Sequence, residues 1–180
     1  MTSAVRDLFG GAITARAPTT LIDASDLRQV PDTQEVFLYP DSSASIIVEV
    51  LQRVERTYFD DAIRFHFNSL AHDNDAQAST VTNVSVIPND RAGDQTPSTI
   101  ILSGVQSVAK FNRATLDEVR VLMALYRVES KGIDLVVTFN VPTSTSEDSG
   151  AVKSEQWMVI ESDFKTFVTS LQIVDFGLFA

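Results

Sequence analysis

VRVLMALYRVE (119–129) and IDLVVTFNVP (133–142) flank a short Ser130-Lys131-Gly132 link. Both runs are rich in Val, Ile, Leu and aromatic residues, the side chains that suit a pleated, half-buried surface. Lys131-Gly132 between them reads as a tight turn, and the pair as a β-hairpin. ILSGVQSVAKF (101–111) precedes them, so the three runs form an antiparallel meander. A short turn joins only antiparallel neighbours, since parallel strands need a long crossover. The expected class is therefore α+β, a mostly antiparallel sheet with helices covering its faces.

Working outward, VTNVSVI (81–87) adds a strand between loops at 71–80 and 88–98. SIIVEVLQRVE (45–55) is ambiguous by period, but the β-branched Ile46, Ile47 and Val48 favour a strand. Ile46, Val48 and Val50 then share one face, and Glu49 points to the other with Ile47 and Leu51. Gln34 to Leu38 is a further strand. LFGGAITARA (8–17) is read as the first strand, with Gly10 and Gly11 suiting a bulge or sharp entry and Pro18 ending it. Asp23-Ala24-Ser25-Asp26 carries turn and cap chemistry, because short oxygen side chains bind nearby backbone N–H groups. Pro31 stops the short helical turn that follows.

Two helices complete the set. Thr57-Tyr58-Phe59-Asp60 reads as a capping box with Asp in the place of Glu. The helix it opens carries Phe59, Ala62, Ile63, His66, Phe67 and Leu70 on one stripe. Trp157, Ile160, Phe164, Phe167, Val168 and Leu171 recur at helical spacing across 154–171 and mark a second, core-facing helix. TSTSEDSG (143–150) is an exposed link. The tail LQIVDFGLFA (171–180) either adds an edge strand or packs as an apolar end.

At 180 residues, with 44% hydrophobic residues, seven glycines and six prolines, residues 1–180 are expected to form a single packed domain. A chain of this size buries about 70% of its unfolded surface. The net charge of −10 argues against nucleic acid, whose phosphates require clustered Lys and Arg. It favours a cationic protein partner. The absence of cysteine excludes disulfides, thiolate metal sites and a cysteine nucleophile. The opening MTSAVRDLFGGAITARAP has no apolar run behind a basic segment, so no secretory signal is expected, nor any membrane span.

Catalytic constellations are absent from the sequence. His66 and His72 lie six residues apart, about 240° around a helix, and cannot chelate one ion from one face. His66 reads as a core residue and His72 as exposed. Phosphate-loop, dinucleotide-loop and nucleophile-elbow motifs do not occur. The acid pairs Asp60-Asp61, Asp117-Glu118 and Glu147-Asp148 read as solvated charge at a helix start, before a strand and in a loop. No catalytic residue, cofactor or metal is expected. Residues 23–61, however, hold nine acids against Arg28, Arg53 and Arg56. A solvated face with helix caps and an acidic docking surface both account for that imbalance.

LFGGAI (8–13), LIDASDLRQVPDTQEVF (21–37), SIIVEVL (45–51) and the terminal LFA (178–180) together resemble the Ran guanine nucleotide release factor family, the nuclear-transport proteins called Mog-one. The likeness is nearly continuous over the first third. It thins to FHF (65–67), FNVP (139–142) and the C-terminal helix. The resemblance implies a central antiparallel sheet of about six strands between helices, akin to the PsbP-like fold. It also implies a non-enzymatic protein, monomeric, in nucleus and cytoplasm, that binds the GTPase Ran and promotes release of its nucleotide in support of nuclear import. The family's exposed patch falls on Asp23, Arg28, Pro31, Asp32, Gln34 and Glu35, joined by Glu49. Asp23 either caps the turn or contacts the partner, Pro31 shapes the loop, and Asp32, Glu35 and Glu49 are the candidates for direct contact. Arg28 either holds the turn by pairing with a neighbouring carboxylate or reaches the partner, and the holding role is the expected one. Gln52 stands where family members carry a second acid, three residues after Glu49. The alternative is an acidic adaptor for a basic partner other than Ran, without effect on nucleotide. An enzyme of PsbP-like architecture is the remotest reading.

Overall fold

The structure is a computed structural model and describes residues 2–109, 116–144 and 151–180. Among the described residues, ten strands and two α-helices follow in chain order: β1 (Ser3–Leu8), β2 (Ile13–Pro18), β3 (Ile22–Asp23), β4 (Gln34–Leu38), β5 (Ser45–Gln52), α1 (Phe59–Asp73), β6 (Ala76–Ile87), β7 (Thr99–Ala109), β8 (Leu116–Val128), β9 (Ile133–Ser144), α2 (Ser154–Ser170) and β10 (Gln172–Ile173). The large sheet has the order β3-β4-β5-β9-β8-β7-β6, and a small sheet has β1-β2-β10. Every pairing is antiparallel. The expected six strands correspond to β4 to β9, with the two-residue β3 added at one edge.

The meander of β7, β8 and β9 is present, and its hairpin closes on Gly132 at φ 63, a left-handed conformation that glycine adopts without a Cβ penalty. Residues 121 to 126 of β8 are buried in unbroken succession. That pattern arises where a strand is covered on both faces. Leu122, Ala124 and Tyr126, with Leu135, Val137 and Phe139 of β9, join α2 and the small sheet in one core. Val121, Met123, Leu125 and Val136 join Ala62, Ile63 and Phe67 of α1 in the other. Gly104 of β7 lets α1 come close, since a Cβ there would stand 2.7 Å from the Phe67 ring.

Several expectations change. Residues 8–17 are not one strand but the end of β1, a 3-10 turn at Phe9–Gly11, and β2. Phe9, Gly10 and Gly11 all have positive φ, so the two glycines reverse the chain instead of bulging a strand. The loop at 71–80 is largely structured, because α1 runs to Asp73 and β6 starts at Ala76. The capping box at Thr57 does not form. Tyr58 occupies the cap position without a side-chain bond, and Asp60 instead pairs with Arg64 at 2.9 Å. Asp117-Glu118 lies inside β8 rather than before it. The tail does both things proposed for it, pairing as β10 and then packing Phe176, Leu178 and Phe179 on the core. Of the link TSTSEDSG, Thr143 and Ser144 belong to β9 and 145–150 lie outside the described residues, as does the Glu147-Asp148 pair.

The loop after β6 fastens the end of α2. Arg91 donates to the Thr169 and Leu171 carbonyls, which are among the last of the helix without an internal partner. Arg91 is held by Asp94 at 2.6 Å. Burial raises the Asp94 carboxyl, but hydrogen bonds from the Thr96 hydroxyl and N–H, from Arg91 and from Asn89 outweigh it and bring the group down to about 2. Thr96 in turn accepts the Ile173 N–H at 2.9 Å, locking β10 against the same loop.

Two outcomes follow from this packing. Phe164 is 6% exposed and meets the Phe139 ring edge-on at 5.2 Å. Phe164→Ala is expected to cost about 3–5 kcal/mol, read as a lowered denaturation midpoint. Asp94 has a depressed folded pKa, so its stabilisation is present above the unfolded value and is lost as pH falls from about 4 towards about 2. The stability gap between wild type and Asp94→Asn should be roughly 2 kcal/mol at neutral pH and should close across that acid window. A gap independent of pH would show that the carboxylate charge is not what holds the loop.

Candidate partner-binding surface

The acidic segment begins where β3 meets β4. Asp23 Oδ1 accepts the Ser25 N–H at 2.9 Å and the Ser25 hydroxyl at 2.7 Å, so Asp23 caps the 3-10 turn Ala24–Asp26. The turn is seated by Ala24, which is fully buried and whose carbonyl accepts the N–H groups of Leu27 and Arg28, each at 3.0 Å. The chain then reaches Pro31, whose carbonyl takes the Gln34 N–H at 2.9 Å, while the Thr33 carbonyl takes the Val50 N–H at 2.9 Å. These bonds bind the Pro31–Gln34 turn to β5. Arg28, Pro31 and Asp32 are exposed along this path.

In the β4–β5 ladder Gln34 lies opposite Glu49, and Glu35 lies opposite Val48. Directly opposed residues share a face and successive ones alternate. Gln34 and Glu49 therefore stand side by side on the face covered by α1. Glu35 stands on the other face, where its Oε1 accepts the Phe9 N–H at 2.7 Å. Phe9 is held there at φ 51, a conformation that costs energy for a non-glycine residue and needs outside support. The seven residues grouped by sequence thus divide into three settings: an exposed turn with Asp23, Arg28, Pro31 and Asp32, a cross-strand pair of Gln34 and Glu49, and a backbone anchor at Glu35.

The expected holding role of Arg28 is corrected by this geometry. Among the described residues its side chain makes no ion pair or hydrogen bond, and the same is true of Asp32, Gln34 and Glu49. Nearby carboxylates are already engaged or too far along the turn, Asp23 with Ser25 and Glu35 with Phe9.

Glu49 borders a cleft of about 160 Å³ between the sheet and α1, with Leu51, Thr138, His66, Ser69 and Asp73 among its walls. Beneath lies a charge cluster that sequence reasoning missed. His66 Nε2 is 2.8 Å from Asp134 Oδ2, and Arg127 Nε donates to Asp134 Oδ1 at 3.1 Å. Asp134 is fully buried and also accepts the Val54 N–H at 3.2 Å. Burial raises its carboxyl, yet the bonds from His66, Val54 and Arg127 outweigh that and hold it below the usual carboxylate range. Arg127 donates onward to the carbonyls of Val54 and Arg56. The cluster ties the segment leaving β5 to the β8–β9 hairpin. Its signal in the sequence was a lone acid, Asp134, inside an apolar strand, facing a histidine on the apolar stripe of α1.

Among the described residues no group of three or more His, Asp or Glu side chains is placed to hold a metal ion, and no helix is long and apolar enough to cross a membrane. The surface therefore offers unpaired charge on a firmly anchored turn and strand.

A protein-family profile described as "Ran-interacting Mog1 protein" matches residues 6–142. The chain belongs to that family. It is 34% identical to the Ran guanine nucleotide release factor of Danio rerio over 97% of this chain and 98% of the relative. It is 34% identical to the human protein of the same name over 96% and 94%. The nuclear import protein of Saccharomyces cerevisiae is 31% identical, over 97% of this chain and 84% of that one. The solved structure of the Ran-binding Saccharomyces cerevisiae Mog1 protein superposes over the whole of both chains with a TM-score of 0.75 at 27% identity, and a Mog1 point mutant does so at 0.76 and 26%.

The exposed turn and the backbone anchor are separated by one experiment. Arg28→Ala should leave stability within about 0.5 kcal/mol of wild type, as for exposed side chains without partners. Glu35→Ala should cost about 1–3 kcal/mol, because it leaves the Phe9 N–H without its charged acceptor. Denaturant titration of both variants measures this, and equal midpoints would contradict the assignment of Glu35 as an anchor.

Proposed function

We propose that this protein binds the GTPase Ran through the Arg28–Asp32 turn and Glu49, and promotes release of its bound guanine nucleotide. The observation that carries the reading is unpaired charge, exposed on the anchored turn at Arg28 and Asp32 and half-buried on the strand at Glu49, in a chain of the Ran-interacting Mog1 family. Asp23, Pro31, Gln34 and Glu35 shape and hold this surface, and Arg28, Asp32 and Glu49 contact the partner. The role extends to support of nuclear protein import, with a monomer acting in nucleus and cytoplasm.

No catalytic group or cofactor is required. A GTPase holds its nucleotide through Mg²⁺, a lysine and backbone N–H groups. A partner that binds the nucleotide-free or distorted form more tightly shifts the equilibrium towards release, and only by the difference in its affinity for the two forms. A tenfold rise in nucleotide Kd requires about 1.4 kcal/mol of that difference. The net charge of −10 speeds encounter with a basic surface, and the unpaired carboxylates set its register.

Glu49→Lys should weaken Ran binding by about 2 kcal/mol or more, since Glu49 is half-buried in its cleft and the reversal places like charges together. It should slow nucleotide release in parallel, with the fold unchanged. Titration of purified Ran and release of a fluorescent guanine nucleotide measure the two effects. Absence of both Ran binding and accelerated release with the wild-type protein would support the acidic adaptor for another basic partner instead.

A further inference from the structure

The outer face of α1 presents aromatic surface that the acidic turn does not account for. Tyr58, Phe59 and Phe65 are exposed by 71%, 48% and 41%. Tyr58, Phe65 and His72 recur at seven-residue spacing and so lie along one side of the helix. The Arg56 guanidinium stands 5.3 Å from the Phe65 ring centroid. Arg64 is engaged by Asp60, whereas Arg56 pairs with no carboxylate among the described residues. Its backbone carbonyl accepts from Arg127 at 2.6 Å, so the segment bearing it is anchored on the buried Asp134 cluster. Arg56, Phe65, Asn68, Ser69 and His72 line an open hollow of about 600 Å³, with Asp61 its one carboxylate. Ser69 also lines the cleft of Glu49. The hollow and the acidic cleft are therefore two flanks of one helical ridge.

Aromatic and arginine side chains dominate the energetics of protein interfaces, and they contribute most when held in place before binding. We propose that this flank of α1 is the second half of the Ran footprint. Arg56 and Phe65 receive an apolar side chain beside a carboxylate of the GTPase, while Glu49 across the ridge receives a cation. The inference rests on the Ran-binding reading above. Arg56 on one flank and Glu49 on the other favour one orientation of the partner, since the reversed pose sets like charges together. A nucleic acid is disfavoured by the net charge of −10.

The test is calorimetric titration of purified Ran into the folded full chain, comparing wild type with Arg56→Glu, Phe65→Ala and Glu49→Lys. Arg56→Glu and Phe65→Ala should each raise Kd about fivefold or more, the level that separates energetic from passive interface residues. If either variant fails to fold, Asn68→Glu, at an exposed position within the same hollow, replaces it and should weaken binding likewise. Unchanged affinity in the α1 variants with weakened binding in Glu49→Lys would overturn this inference and leave the Ran-binding reading standing. Unchanged affinity in all of them, or no binding by the wild type, would overturn both.

Discussion

Strands β8 and β9 run through the middle of the large sheet with a helix over each face, and the remaining elements serve to keep both faces dry. A strand buried on two sides has no water to satisfy its backbone, so its N–H and C=O groups must be paired along its whole length. Here β5 and β7 supply those partners, on either side of the β8–β9 hairpin. The helices are fixed by the same constraint. Phe164 and Phe167 of α2 close on Phe139 from one side, and Phe67 of α1 enters the space left by Gly104 from the other.

That arrangement makes Asp134 a consequential residue. An isolated carboxylate in such a core would cost several kcal/mol, and it is tolerated only when neighbours supply charge and hydrogen bonds. His66 comes from α1, Arg127 from β8 and the Val54 N–H from the segment after β5, so satisfying one buried charge brings three parts of the chain together. The segment so anchored carries Arg56 at its outer end and Glu49 just before it in β5. Core chemistry and surface presentation are linked through these few bonds.

Much of the fold was legible because its signals are periodic and local. The Lys131-Gly132 turn and the stripe from Trp157 to Leu171 each give a clear local preference, the β-branched run at Ile46–Val48 tips an ambiguous segment towards strand, and each formed the expected element. What was misread depended on long-range partners. The reversal at Phe9–Gly11 needs Glu35, 26 residues away, to hold the Phe9 N–H, and no local pattern announces it. Residues 76–80 (AQAST) are small or polar and read as loop, yet β7 offers them a ladder and they become strand. In the candidate site, the turn chemistry of Asp23 was visible because its partner Ser25 is two residues on. The division of Gln34 and Glu49 from Glu35 was not, since it emerges only from the register of two strands.

The same register explains how one short acidic stretch can hold the framework and still display charge. Adjacent residues in a strand face opposite ways, so Gln34 and Glu35 are neighbours in the chain but belong to different surfaces. A carboxylate turned inward finds a backbone donor and becomes part of the framework. One turned towards the α1 cleft, as at Glu49, keeps its charge unspent. Arg28 fits the same logic from the opposite sign. With Asp23 and Glu35 engaged elsewhere, its guanidinium has no partner among the described residues and lies on the same exposed turn as Asp32. A surface that displays both signs in fixed positions discriminates between orientations of a partner, which a uniformly acidic patch does not.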